Sequence, residues 1–268
     1  MMTPGRIPAA EPYPRQSTDL NQRVRMPDLA IFGREEELAA LQARLAERRS
    51  FLLHGPAGVG KTCLLASLLP RFPQWLYCPQ APDSRSVFQA MAAALRTVGN
   101  LIVAAKLRGK ESGRSALALK GIVSEALRAG SYGVVLDHLN APSQALASDL
   151  KELVRTTGTP LLAVARSAHM EDAGFLLPLF PDRRDRFELR NFDRTRALAF
   201  AREAAGNANL AAANLEEFLL RAVDLSRGNP GALLALLTLA GQTRYRSGDS
   251  IKIAPLYIDF RLEGISHG

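Results

Sequence analysis

The sequence predicts an α/β fold, in which a parallel sheet carries helices on both faces and is followed by a small all-helical domain. Three observations support this prediction. Short apolar runs alternate with segments of helical periodicity as far as about residue 190. The pattern G-x-x-x-x-G-K-[ST] joins the first apolar run to the helix after it. Beyond Asp193 only helical periodicity remains.

The predicted elements alternate in the order that a parallel sheet requires. The first helix opens after Gly33 with three acids in its first turn, where the helix dipole favours negative charge. The predicted strands are 50–54, 75–78, 133–137, 160–166 and 186–189. The later predicted helices are 63–69, 87–98, 115–128, 144–156, 195–205, 215–226 and 231–243.

We divide the chain into four segments. Residues 1–28 are rich in proline and poor in apolar side chains, which predicts a disordered arm. Residues 29–190 form the predicted α/β core, and residues 191–245 form a predicted small helical domain. The tail, 246–268, has no clear role from its sequence. The longest apolar run lies within 231–241 and is too short to span a bilayer, so it predicts a buried helix.

The composition is that of a soluble globular protein, with 47% hydrophobic and 22% charged residues. The two cysteines, Cys63 and Cys78, have neither metal-ligand nor disulfide-framework spacing. Together with the absence of a signal-like apolar segment near the start, this favours the cytoplasm. The net charge of +8 permits binding to a polyanion, although a nucleotide site also needs positive charge.

The pattern at Gly55–Thr62 is Walker A, a phosphate-binding loop. Its glycines let the backbone curl so that several N–H groups face one phosphate, and the next helix adds the positive end of its dipole. Lys61 is a cation for the β- and γ-phosphates, and the Thr62 hydroxyl can ligate Mg²⁺. The predicted contacts are Gly55, Pro56, Ala57, Gly58, Val59, Gly60, Lys61, Thr62 and Cys63.

Two polar residues end neighbouring predicted strands. Asp137 lies where open α/β sheets bind ligands, and its carboxylate can orient Mg²⁺ through water. Arg166 ends the next strand, so that its guanidinium could meet the γ-phosphate. Each residue also has a structural interpretation, as a helix cap for Asp137 and as a surface ion pair for Arg166.

Taken in order, these motifs resemble the AAA+/STAND superfamily of P-loop ATPases. Residues 31–38 resemble its F-x-G-R-x-x-E-L signature, and residues 228–230 resemble the G-x-P motif of its helical lid. The resemblance implies that the fold is a P-loop NTPase core with a helical lid, and that ATP and Mg²⁺ are the cofactors. It assigns Lys61, Asp137 (Walker B) and Arg166 (sensor) to catalysis, Thr62 and Asp137 to Mg²⁺, and Phe32, Arg34 and Pro230 to the nucleotide.

Two positions depart from the family pattern. Members that hydrolyse ATP quickly usually have an acid directly after the Walker B aspartate, but this chain has His138. Because imidazole is a poor substitute for a carboxylate beside magnesium, we expect slow or partner-stimulated hydrolysis, unless Asn140 positions the water. The lids of AAA+ proteins often carry an arginine near the start of the third helix. Here that position is Gly231, which favours a STAND-like switch.

Two basic clusters are candidate contacts to partners. The resemblance implies that Arg183 or Arg184 acts as an arginine finger in a neighbouring subunit of a homo-oligomer. Residues 96–120 contain six basic residues and one acid, and a loop there offers Lys106, Arg108 and Lys110 as candidate contacts to duplex DNA. Solvated surface charge is the alternative for both clusters.

The sequence leaves three functions open. The first is a regulatory or assembly ATPase that couples its ATP state to oligomerisation and to a protein partner supplied in trans. The second is a DNA-transaction ATPase of the transposition-helper or helicase-loader type. The third is a small-molecule kinase, which would need an acceptor pocket and an inserted lid that the sequence does not indicate. ATP is preferred over GTP only by resemblance, and no membrane role is expected.

Overall fold

A five-stranded parallel sheet forms the centre of the computed structural model, which describes residues 31–79, 82–107 and 113–262. The strands lie in the order β2-β3-β4-β1-β5. They are β1 (Phe51–His54), β2 (Trp75–Cys78), β3 (Gly133–Leu136), β4 (Leu161–Ala165) and β5 (Arg186–Glu188). Each begins and ends within one residue of its predicted bounds, which confirms the predicted strands.

Within the described residues, seven α-helices accompany the sheet and four follow it. Those of the sheet region are α1 (Glu35–Ala46), α2 (Lys61–Leu68), α3 (Ser84–Thr97), α4 (Leu101–Leu107), α5 (Ala116–Ala129), α6 (Gln144–Thr157) and the single turn α7 (Met170–Ala173). Those that follow are α8 (Arg194–Asn207), α9 (Leu215–Ser226), α10 (Pro230–Ala240) and α11 (Ile253–Leu262). The sequence did not predict α4, α7 or α11.

The sheet is buried on both faces, as a parallel sheet must be. Alternation along β1 shows this, because Phe51 and Leu53 join one apolar cluster and Leu52 joins the other. Helices α1 and α2 cover the first face through residues such as Leu41 and Leu65. Helices α3, α5 and α6 cover the second face. The predicted fold class is therefore confirmed.

The helices that follow the sheet enclose an apolar cluster of their own. Helices α8, α9 and α10 contribute most of it, and α10 is buried as predicted. The short hairpin β6–β7 (Arg246–Ser247 and Ser250–Ile251) and α11 join the same cluster through Ile251, Leu256 and Phe260. The described part of the tail thus packs against the helical lid.

Some predicted features lie outside the described residues. These are the arm 1–28, the loop residues Arg108 and Lys110, and residues 263–268. Within the described ranges, no single helix is both long and apolar enough to cross a membrane. Helices α3 and α4 pass that test only together, as a pair bent by 119°.

Candidate functional site

The strand order brings the predicted site residues to one edge of the sheet. Strand β1 leads into the Walker A loop, β4 lies beside β1, and β3 lies beside β4. All three are parallel, so the residues that follow them, Gly55, Arg166 and Asp137, emerge at the same edge. The backbone N–H of Gly55 donates to the carbonyl of Arg166 at 3.1 Å, which ties two of these loops together.

The loop Gly55–Thr62 leaves β1 and enters α2 as the sequence predicts. Gly55 has no room for a side chain, because a Cβ atom would lie 2.1 Å from the carbonyl oxygen of Leu189. Within the described part of the chain, the amides of Ala57, Gly58 and Gly60 have no protein acceptor. Buried or clustered N–H groups left without protein partners are suited to an anion.

The Lys61 ammonium is folded back onto its own loop. It donates to the carbonyl oxygen of Pro56 at 2.9 Å and also to that of Gly55. Burial lowers the pKa of Lys61 to about 8; Asp137 opposes this shift, and the nearby Arg166 adds to it. An arriving phosphate would replace the two carbonyl contacts and restore a counter-charge, which favours binding of an anion at this position.

Asp137 is buried, with 2% of its surface exposed, and three donors hold its carboxylate. Oδ2 accepts hydrogen bonds from the hydroxyls of Thr62 and Tyr77, both at 2.9 Å, and Oδ1 accepts one from the backbone N–H of His138 at 2.8 Å. The two residues predicted to bind Mg²⁺ are therefore in direct contact. An adjacent hydroxyl and carboxylate suit a hard cation that prefers oxygen ligands.

Tyr77 is a residue of this site that the sequence reasoning missed. The sequence predicts only that it lies in a strand, but the pairing of β2 with β3 brings its hydroxyl to Asp137. The signal was weak because a tyrosine near the end of an apolar strand is usually a packing residue. Only its position at the carboxyl end of β2 pointed towards the site.

His138 occupies the position where an acid is usual in fast ATPases. Its backbone has a φ of 55°, and its side chain is 45% exposed. Nε2 lies 3.5 Å from Thr62 Oγ1 and from Asp137 Oδ2, so the imidazole reaches the predicted magnesium ligands. Asn140, the alternative water-positioning residue, is exposed on the same loop.

The side chain of Arg34 is buried and hydrogen-bonded to other parts of the protein. The residue is 4% exposed and donates to the carbonyl oxygens of Arg190 at 2.7 Å and Val59 at 3.3 Å. It also pairs with Glu37 at 2.8 Å and lies 4.1 Å from the centroid of the Phe192 ring. Burial lowers its pKa below the ordinary value, and Glu37 opposes that shift. Its contacts join the first helix, the phosphate loop and the entry to the lid.

Phe32 and Pro230, the other two predicted nucleotide contacts outside the loop, both lie at the lid. Phe32 is half-buried against the lid cluster, with its ring centroid 6.2 Å from that of Phe200 in α8. Pro230 is the first residue of α10 and is buried. The residue after it, Gly231, donates its N–H to the carbonyl oxygen of Gly58 at 2.9 Å, so α10 begins on the phosphate loop.

The two candidate arginine fingers lie away from this edge. Arg183 and Arg184 form a 3₁₀ turn immediately before β5, and both are exposed. Because β5 is parallel to β1, its start lies at the opposite edge of the sheet from the phosphate loop. They could therefore serve only the site of another subunit, as an arginine finger does.

The basic stretch 96–120 is partly neutralised by acids from neighbouring helices. Lys106 pairs with Glu125 in α5, and Lys120 donates to Asp149 at 2.7 Å and Glu152 at 2.6 Å in α6. Arg108 and Lys110, the other candidate DNA contacts, lie outside the described residues. The described part of this surface is thus less positive than its count of basic residues indicates.

Residues 30–165 match the AAA ATPase domain, which is half of the chain. The chain belongs to the AAA ATPase domain family. This AAA ATPase therefore shares its family with the P-loop ATPases that its motifs resemble. No curated protein matches it significantly.

Solved structures of P-loop ATPases share its fold. A Walker-type ATPase of Pyrococcus abyssi is 18% identical, with a TM-score of 0.57 over 88% of this chain and 75% of that one. The ORC1 protein of Aeropyrum pernix, determined in complex with DNA, is 18% identical, with a TM-score of 0.60 over 89% of this chain and 69% of that one.

A STAND protein with a tetratricopeptide repeat sensor, from Pyrococcus horikoshii, is 17% identical with a TM-score of 0.52. That match covers 86% of this chain but only 32% of the STAND protein, which is much longer. At these identities the likenesses show a common fold and nothing more specific.

Proposed function

We propose that this AAA ATPase binds ATP with Mg²⁺ at the Walker A loop, hydrolyses it slowly, and uses the nucleotide state to control its assembly with a protein partner. The observation that carries the proposal is the contact of the lid with the phosphate loop, where α10 begins at the carbonyl of Gly58. A ligand bound in this loop lies next to the start of the lid, so its presence can alter the angle between lid and core.

Each residue of the site has a role in this proposal. The amides of the loop and Lys61 bind the β- and γ-phosphates, while Thr62 and the Asp137 carboxylate hold the metal and its waters. Bound Mg²⁺ would neutralise negative charge on the phosphates. Arg166 adds positive charge beside Lys61, where the γ-phosphate would lie. Tyr77 orients Asp137 through its hydrogen bond.

Slow hydrolysis follows from the position of His138. A carboxylate there would accept a hydrogen bond from the attacking water and draw off its proton. The imidazole instead lies 3.5 Å from Thr62 Oγ1 and Asp137 Oδ2, next to the proposed cation. Hydrolysis would then be faster when a group from outside the subunit stabilises the charge of the transition state. Arg183 or Arg184 of a second copy is our candidate, since both lie exposed at the far edge.

The proposal is tested by ATP hydrolysis and ATP binding with the purified protein, with Lys61→Ala as the matched control. We expect tight binding, turnover well below one per second, and loss of both in the variant. Binding that is equal in the wild type and Lys61→Ala would refute the assignment of the site. Rapid ATP turnover by the monomer would refute the proposal that the nucleotide state controls assembly with a partner.

DNA binding is the competing function, and the same assay separates it. Strong stimulation by duplex DNA, with a steep dependence on salt, would favour a DNA-transaction ATPase. The ion pairs of Lys106 and Lys120 with acids of α5 and α6 argue against it, because paired cations are less available to phosphates. The variant Lys106→Glu should therefore leave hydrolysis unchanged with or without DNA.

A further inference from the structure

The carbonyl oxygens of the phosphate loop are held by donors from the helix after it, from the first helix region and from the lid. Each carbonyl oxygen from Gly55 to Val59 accepts a hydrogen bond, although none of them lies in a regular helix or strand. The donors are Lys61 for Gly55, Lys61 and the Val59 amide for Pro56, the Asn229 side chain for Ala57, the Gly231 backbone for Gly58, and Arg34 for Val59. Two of these donors come from the lid.

Asn229 joins three parts of the protein through one side chain. Its Oδ1 accepts from the N–H of Ala232 at 3.0 Å, so it caps α10. Its Nδ2 donates to the carbonyl of Ala57 at 2.8 Å and to Asn191 Oδ1, in the segment that links core and lid, at 3.1 Å. Asn229 is 6% exposed, and its amide is therefore a buried group whose hydrogen bonds are all made within the protein.

Gly231 brings the backbone of the lid against the backbone of the loop. A Cβ atom at this position would lie 2.9 Å from both the Cα and the carbonyl oxygen of Gly58. Any side chain at position 231 would therefore force α10 and the loop apart. The first turn of α10 touches the loop itself and carries no side chain towards a phosphate from position 231.

We propose that Asn229 is a positioning residue, through which the first turn of α10 holds the phosphate loop in its anion-binding shape. A peptide unit has its C=O and N–H on opposite sides. Fixing the carbonyl of Ala57 to Asn229 therefore turns the amide of Gly58 away from the lid contact, towards the inside of the loop. The next amide, that of Val59, donates to the carbonyl of Pro56 and closes the turn of the loop. The lid thus acts on nucleotide affinity from behind the loop.

Coupling between the lid and the nucleotide follows from this arrangement. If docking of α10 orders the loop, then the docked lid raises nucleotide affinity, and bound nucleotide stabilises docking by the same factor. This inference rests on the proposed nucleotide binding. Its structural part, the ordering of the loop by Asn229, stands independently of the ligand.

The test compares Asn229→Ser with the wild type and with a matched control. Serine keeps a helix cap for α10 but cannot reach Ala57 with an amide donor. The control, Asp193→Ala, removes the cap of α8 in the same helical region, where Asp193 accepts from the N–H of Arg196 at 2.8 Å. That residue makes no hydrogen bond to the phosphate loop among the described residues.

Two measurements are made on each protein. The first is the dissociation constant of a fluorescent ADP analogue, and the second is hydrogen exchange without nucleotide at the loop amides of Gly55 and Val59, which donate to the carbonyls of Arg166 and Pro56. For Asn229→Ser we expect ADP to bind about fivefold to tenfold more weakly, as for loss of one net hydrogen bond, with faster exchange in the loop. For Asp193→Ala we expect ADP affinity within twofold of wild type and unchanged exchange in the loop.

Wild-type affinity and wild-type exchange rates at Gly55 and Val59 in Asn229→Ser would overturn the inference. So would an equal loss of affinity in Asp193→Ala, since the effect would then reflect general weakening of the lid. If the wild type itself does not bind ADP, the proposed function fails. The exchange measurement would still decide whether Asn229 orders the loop.

Discussion

Replacing Gly231 with alanine should destabilise this protein, although the same change usually stabilises a helix. In an exposed helix interior, Gly→Ala gains about 1 kcal/mol from helix propensity. At Gly231 the new Cβ would lie 2.9 Å from two backbone atoms of Gly58, which cannot rotate away. Either α10 or the phosphate loop must then move by several tenths of an ångström.

The size of the effect can be worked from these contacts. Overpacking of this kind costs about 1–3 kcal/mol. The movement also lengthens the 2.9 Å hydrogen bond from Gly231 to the Gly58 carbonyl, which contributes roughly 1 kcal/mol. Set against a propensity gain of at most about 1 kcal/mol, the net loss in the free energy of unfolding is about 1–3 kcal/mol.

The chain provides a matched control in Gly121. This glycine lies within α5, is exposed, and has no atom within 4 Å of the position of an added Cβ. Gly121→Ala should therefore raise the free energy of unfolding by up to about 1 kcal/mol. Both variants would be measured by urea denaturation followed by circular dichroism. The reasoning is refuted if Gly231→Ala proves as stable as the wild type, or gains stability as Gly121→Ala does.

Three further predictions concern the site. His138→Glu should raise ATP turnover at least about tenfold, measured by phosphate release against Lys61→Ala, because it restores a carboxylate beside the water; unchanged turnover with intact ATP binding would contradict this. Tyr77→Phe removes a hydrogen-bond donor to Asp137. It should raise the Mg²⁺ concentration for half-maximal hydrolysis severalfold and leave the affinity for ADP in EDTA unchanged. Equal effects in both assays would argue against a metal-related role. Arg34→Ala should lower the free energy of unfolding, measured by urea denaturation, by about 3 kcal/mol, because two carbonyls and Glu37 lose a buried partner. A loss below about 1 kcal/mol would show that water replaces the guanidinium.

The sequence predicts the fold and the phosphate loop well because their signals are local. The Walker A residues are contiguous, and the strands around them are short apolar runs with clear ends. The position of Asp137 was predictable for a similar reason, because ligands of open α/β sheets bind at the carboxyl ends of the strands and the end of β3 is visible in the sequence. The proximity of Thr62 and Asp137 then follows from the parallel order of β1, β4 and β3.

Contacts between residues far apart in the chain could not be predicted from the sequence. Arg34 belongs to a recognisable motif, but its 2.7 Å hydrogen bond to the Arg190 carbonyl spans 156 residues. The basic stretch illustrates the opposite error, because a count of charges cannot reveal that Lys120 is paired with Asp149 and Glu152. The predicted nucleotide and Mg²⁺ contacts, the role of Arg166, the arginine fingers and the DNA contacts remain predictions, since each depends on a ligand or a second molecule.

The hydrogen bond from Asn229 to Ala57 has a consequence for synthesis of the chain. It joins residues 172 positions apart, and Gly231 reaches Gly58 over a similar separation. A ribosome adds about 5–20 residues per second, so the Walker A loop leaves it on the order of ten seconds before α10 does. During that interval the emerging chain carries the complete phosphate-binding sequence without two of the donors that shape it. The phosphate loop of a newly made subunit therefore acquires all of its donors only after α10 has been translated.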